Sequence, residues 1–146
     1  MAYAEKTTVA PEKSRLEIEN LLNKHGATGF GYVSRETEAS VAFEMKDRSI
    51  RFKVSWAHSY TGHPARVAAA ADQRKRQRWR ALLLCIKAKL ETVESGIETF
   101  EEAFLAHVVI PGSGLTVYEQ THAQIKDAYI AGPEGGRRQL MLEGPR

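Results

Sequence analysis

Between Gly29 and Trp56 the apolar residues return at every second position: Phe30 and Tyr32, then Val41, Phe43 and Met45, then Ile50, Phe52, Val54 and Trp56. Such alternation places the large apolar side chains of each run on one face of a strand. The interruptions, Ser34 to Glu38 and Lys46 to Arg48, are polar and too short for a crossover helix. Consecutive runs must therefore pair antiparallel, as a three-stranded meander. A three-stranded sheet with one apolar face cannot stand alone in water, so a second layer has to cover that face.

The cover is legible on both sides of the meander. Trp79, Leu82, Leu83, Ile86, Leu90 and Val93 fall at helical spacing and project within about 100° of one another on a wheel. They predict a long amphipathic helix from about Ala69 to Ser95, ended by Gly96. Upstream, Leu16, Ile18, Leu21 and Leu22 form a partial stripe from about Pro11 to His25, with Gly26 as a left-handed stop. Ser14 and Glu17 have capping-box spacing there. Thr99 with Glu102 repeats that spacing and opens a short helix bearing Phe100, Phe104 and Leu105, and Thr116 with Glu119 opens a final helix to about Ala131. Between them, Val108 to Ile110 and Leu115 to Val117 flank Pro111-Gly112-Ser113-Gly114 and suggest a small hairpin.

The fold class is therefore α+β: N-terminal helix, three-stranded antiparallel meander, long amphipathic helix, then short helix, small hairpin and C-terminal helix. We read residues 1–131 as one domain, with Met1 to Ala10 as a loose arm, His58 to Arg66 as a loop, and residues 132–146 as a flexible tail. A chain of 146 residues, 42% of them hydrophobic, is enough for one real core. Its single cysteine, Cys85, excludes an internal disulfide framework and a multi-cysteine metal centre, and fits a reducing compartment. No apolar run approaches the ~20 residues of a membrane span, and the polar start lacks a signal-peptide core. The expected location is the cytoplasm of the host cell, without membrane contact.

Charge is segregated along the long helix. From Arg74 to Leu90 there are seven bases, Arg74, Lys75, Arg76, Arg78, Arg80, Lys87 and Lys89, and no acid; from Glu91 to Glu102 there are five acids, Glu91, Glu94, Glu98, Glu101 and Glu102, and no base. A helix prefers acids in its first turn and bases in its last, so this order opposes the macrodipole. The mutual repulsion is easier to understand if an anionic partner relieves it. On the wheel, Arg74, Arg78 and Lys89 lie on one flank of the apolar stripe, and Arg76, Arg80 and Lys87 on the other. A second cluster, Lys46, Arg48, Arg51 and Lys53, occupies the turn and outer face of the third strand. If the two clusters share a side, they form one track of the kind that binds a phosphate backbone. The plain alternative is a solvated face whose Arg stems cover apolar surface.

Enzymatic signatures are weak. His58 and His63 share a loop with Tyr60, but no Cys, Asp or Glu stands beside them at zinc-ligand spacing. Cys85 has no evident partner histidine and reads as a small half-buried residue. Helix, three strands and helix is also the order at the core of many metal-dependent nucleases, which need two carboxylates to hold Mg²⁺. The second strand offers Glu44, but the third reads Arg51-Phe52-Lys53, with arginine where the acid should be, and Glu44-Met45-Lys46 has the right spelling on the wrong strand. The order therefore leaves a nuclease-like fold with a degenerate site as a second alternative. No P-loop or Gly-x-Gly-x-x-Gly is present. No catalytic residue, metal ligand or cofactor is assigned.

The segments Phe43-Glu44-Met45, Ile50-Arg51-Phe52, Arg76-Gln77-Arg78-Trp79-Arg80-Ala81-Leu82, Ile86-Lys87-Ala88-Lys89-Leu90-Glu91, Val93 to Ile97 and Thr99 to His107 resemble a family of small bacteriophage and prophage proteins of no assigned activity, over most of Ala2 to Ala131. More distantly, the layout with Gln73, Arg74, Arg78 and Trp79 resembles the lambda Orf-type recombination mediators. That likeness implies a DNA-binding accessory protein without a cofactor, with a dimer as one open alternative. The expectation is a non-enzymatic phage protein that binds single-stranded DNA or another nucleic acid in recombination or replication. Arg74, Arg76, Arg78 and Arg80 bind phosphates, Lys46, Arg48, Arg51 and Lys53 extend the track, and Tyr60 or Trp56 stacks a base. The rival is a host-directed protein that binds and inhibits a bacterial defence or replication protein, favoured slightly by the acidic block. That block also suits the basic block of another copy, as a homo-oligomer.

Overall fold

Three strands, β1 (Gly29–Ser34), β2 (Glu38–Met45) and β3 (Arg48–Ser55), pair antiparallel in sequence order, with Phe30 opposite Phe43 and Val41 opposite Phe52. The computed structural model describes residues 4–132. Four helices accompany the sheet: α1 (Pro11–Lys24), α2 (Pro64–Glu94), α3 (Phe100–Phe104), continued by a 3-10 turn at Leu105–His107, and α4 (Val117–Ala131). The β2–β3 connection is a two-residue turn in which Lys46 and Asp47 both take positive φ, 49° and 61°. This is the backbone hand that matches the twist of a tight hairpin.

Alternation decides the faces of the sheet. Val41, Phe43 and Met45 of β2 and Ile50, Phe52 and Val54 of β3 are buried, in one cluster with Ile18 and Leu22 of α1 and Trp79, Leu82, Leu83, Ile86 and Leu90 of α2. The intervening Ala42, Glu44, Arg51 and Lys53 face away. Phe43 and Phe52 lie parallel with centroids 6.5 Å apart, and Phe104 of α3 stands edge-on to both at 5.9 and 6.3 Å. Such aromatic geometry adds roughly 0.5–1.5 kcal/mol per pair beyond the area buried. Tyr32 departs from the alternation: it is about half exposed on the outermost strand, with the Arg15 guanidinium 4.1 Å above its ring.

Several boundaries differ from the sequence reading. Helix α2 begins at Pro64, not near Ala69: proline sits at its first position, where its fixed φ suits a helix and its missing N–H is no loss. The His63 ring Nδ1 accepts from the Ala65 N–H as the cap. The Ser14–Glu17 capping box does not form, because α1 starts at Pro11 after Ala10 and Ser14 is already inside the helix. The boxes at Thr99–Glu102 and Thr116–Glu119 do form. The arm is not loose from Ala4 onward: Ala4 is buried, and the Gln73 Nε2 donates to the carbonyls of Glu5 (3.1 Å) and Thr7 (2.8 Å). The small hairpin is reduced to one bridge, Val109 with Thr116, flanked by the Ile110 N–H to Leu115 carbonyl and Val117 N–H to Val108 carbonyl bonds, while Val108 bridges to Ile50 of β3. The expected tail lies outside the described residues apart from Gly132, which closes α4.

Candidate nucleic-acid interface

Helices α1 and α2 run in the same direction, side by side. Gln73 holds the arm before α1, Arg80 Nη1 donates to Glu17 Oε2 at 2.6 Å, and near the far end His25 Nε2 meets Glu94 Oε1 at 2.8 Å. The basic run of α2 therefore stands at one end of the molecule and the acidic run at the other. The first buried residue of α2 is Trp79, so everything from Pro64 to Arg78 overlies or overhangs the edge of the core.

The bases of this run divide by flank. On the α1 flank, Arg76 is bound to the Gln73 side-chain oxygen through Nε (3.2 Å) and Nη2 (2.8 Å), and Arg80 is spent on Glu17. On the opposite flank, Arg78 is exposed and no acid lies within ion-pair distance among the described residues. Arg74 is likewise without an acid, and its Nε is buried with no hydrogen-bond partner. Between the flanks, the Lys75 ammonium sits 5.1 Å above the Trp56 ring. Farther along, Lys89 Nζ donates to the Ala103 carbonyl at 2.9 Å, which fixes α3 to α2, while Lys87 is exposed.

The second cluster does not join the first. Arg51 and Lys53 face away from the side of the sheet that α2 covers, and both reach Glu119 at the start of α4, at 2.6 and 3.5 Å. Glu119 is correspondingly held down to about 2, first by the Thr116 backbone N–H, then by the Arg51 guanidinium and the Thr116 hydroxyl. Lys46 lies over the Phe100 ring at 6.0 Å and Arg48 Nε donates to Glu101 at 3.0 Å, both at the acidic end. These four bases tie α3 and α4 to the sheet, and the expected continuous track is interrupted. The acids are similarly employed: Glu94 on His25, Glu98 on the Thr92 hydroxyl, Glu101 on Arg48 and Glu102 on the Thr99 backbone.

Trp56 is buried, and its Nε1 donates to the Glu36 carbonyl at 2.8 Å, so it offers no stacking face. Tyr60 is partly exposed, with its ring 4.9 Å from His58 and its hydroxyl buried without a partner. Cys85 is exposed rather than half-buried, since it lies on the outward flank of α2. Glu44 is exposed on the outer face, and among the described residues no three His, Cys, Asp or Glu side chains converge as a metal site would need. A hollow of about 840 Å³ is lined by Glu44, Lys46, Asp47 and Arg48 near Val108 to Pro111, with both signs of charge mixed. Arg66, exposed in the first turn of α2, escaped the sequence reading; Pro64 was the signal that could have placed it on the helix. No helix among the described residues is long and apolar enough to cross a membrane. No protein-family model, curated protein or solved structure matches this chain.

Proposed function

We propose that this chain is a non-enzymatic, phage-type accessory protein that binds single-stranded DNA through the N-terminal half of α2. Arg74 and Arg78 contact phosphates directly, with Lys75 and Arg66 beside them. The observation that carries this reading is the division of the bases: Arg48, Arg51, Lys53 and Arg80 are spent on acids and Lys46, Lys75, Arg76 and Lys89 on rings or carbonyl oxygens of the same molecule, whereas Arg74 and Arg78, like Lys87 farther along, have no acidic partner among the described residues. The positive end of the α2 dipole lies at Pro64 to Arg66, and no acid stands in its first turn. Guanidinium groups suit planar capture of phosphate oxygens.

The acidic block supplied the argument for a protein partner, and four of its five members are engaged within the fold. That leaves the nucleic-acid reading as the better supported one. The test is a binding assay titrated with salt, on single-stranded DNA, duplex DNA and RNA. Arg74→Gln with Arg78→Gln is the informative variant, because Arg80 is structural through Glu17. Loss of two phosphate contacts should flatten the single-strand salt slope by about 1.4. If the wild-type chain ignores all three nucleic acids, the reading fails and the host-protein reading replaces it.

A further inference from the structure

The far ends of α1 and α2 meet at one histidine. His25 follows the last turn of α1, and its side chain is only 20% exposed. Its Nδ1 lies 2.9 Å from the Leu21 carbonyl oxygen and its Nε2 lies 2.8 Å from Glu94 Oε1. Both partners are acceptors, since a carbonyl oxygen and an ionised carboxylate carry no hydrogen to give. A neutral imidazole has one N–H, so it can satisfy one of these contacts and must turn a lone pair toward the other oxygen. The two contacts hold together when both ring nitrogens are protonated, as an imidazolium facing a carboxylate. The other charged groups lining the hollow around the ring are Lys24 of α1 and Lys46 of the β2–β3 turn, and Glu94 is the single acid there among the described residues. The two lysines oppose a charge on the ring, whereas Glu94 and the negative end of the α1 dipole favour it.

We propose that His25 is a proton-operated clasp: the protonated ring pins the end of α1 to Glu94, and loss of the proton on Nε2 releases that end of α1 from α2. On deprotonation the Nδ1–H stays on the Leu21 carbonyl, and the bare Nε2 then faces the carboxylate, so the pair repels where it had attracted. Glu94 has no other side-chain partner among the described residues that would hold it in place. The second ion pair joining the two helices, Arg80 with Glu17, contains no histidine and stays closed, so α1 and α2 part at one end only. The last turn of α1 and residues 26–28, which lead into β1, gain freedom as pH rises past the usual imidazole range near ~6.5. This inference is independent of the nucleic-acid reading.

A double-mutant cycle on the full chain tests the clasp. The wild type, His25→Phe, Glu94→Ala and the double variant are unfolded in urea at about pH 5.5 and about pH 8.5, on either side of the imidazole range. Glu94 is 60% exposed, so removing its carboxylate leaves the core intact. At the lower pH the two substitutions should be coupled by about two- to fivefold in the unfolding constant, as for a partly exposed ion pair, and at the higher pH the coupling should vanish. His107, whose own titration acts with the opposite sign, is common to all four proteins and cancels at each pH. Glu94→Gln adds a readout that a merely structural contact would not move. Its amide accepts from the charged ring and donates to the neutral one, so its coupling to His25 should be alike at the two pH values. Coupling between His25 and Glu94 that is equal at both pH values, or absent at the lower one, overturns the proposal. So does a Glu94→Gln chain whose coupling fades at the higher pH as the wild type's does.

Discussion

Ser14 is fully buried in the second turn of α1, and its Oγ has no hydrogen-bond partner. A stranded hydroxyl forfeits its bonds to water without replacement, and serine is a poorer helix former than alanine. Ser14→Ala should therefore raise stability by about 1–2 kcal/mol, read as a higher urea midpoint at unchanged slope. A neutral or destabilising result would mean that the hydroxyl is satisfied in solution. The residue also shows what a motif hides: its spacing to Glu17 matched a capping box, but Pro11 fixes the helix start one turn earlier. Glu17, freed from the box, reaches Arg80 instead.

At the scale of elements, α4 depends on its cap more than the other helices do. Thr116→Ala removes the acceptor for the Glu119 N–H and should cost about 1 kcal/mol. Because the ion pairs that tie α4 to the sheet lie in that turn, amide exchange should accelerate along α4 more than in β2 or β3. Glu119 reports the same contact. Its carboxyl, held at about 2, contributes stability that is present above 4.5 and lost as pH falls toward 2. The Thr116→Ala variant should titrate closer to 4.5 by NMR; no movement of Glu119 would break the link to the cap. Elements like these were legible because their signals are local: alternation in β2 and β3, helical spacing around Trp79, and two of three capping boxes within four residues. What the sequence concealed was pairing across distance. Nothing near Arg51 or Lys53 says that Glu119 will neutralise them, and nothing near Gln73 says that it will hold the arm, so the candidate site read as eight bases and narrowed to one flank.

For the whole molecule, His107 marks the joint where the layers meet. Its ring stacks on Phe52 of β3 at 3.9 Å, and burial, reinforced by the Lys89 ammonium of α2, holds its pKa below 6.5 against an opposing hydrogen bond to the Arg51 backbone. The unfolded chain takes up that proton near 6.5 and the folded one does not until lower pH, so global stability falls as pH drops through and below 6.5. Denaturation between about pH 7.5 and 5.5 should show this slope, and His107→Phe should flatten it. Parallel profiles for the two proteins would assign the slope to other groups. The side-by-side course of α1 and α2 has a consequence in time. Glu17 and Arg80 are 63 residues apart, so at ~5–20 residues per second α1 waits roughly 3–13 s during synthesis before its covering helix exists. Through that interval Ile18 and Leu22 have only the growing meander, or a chaperone, to shelter them.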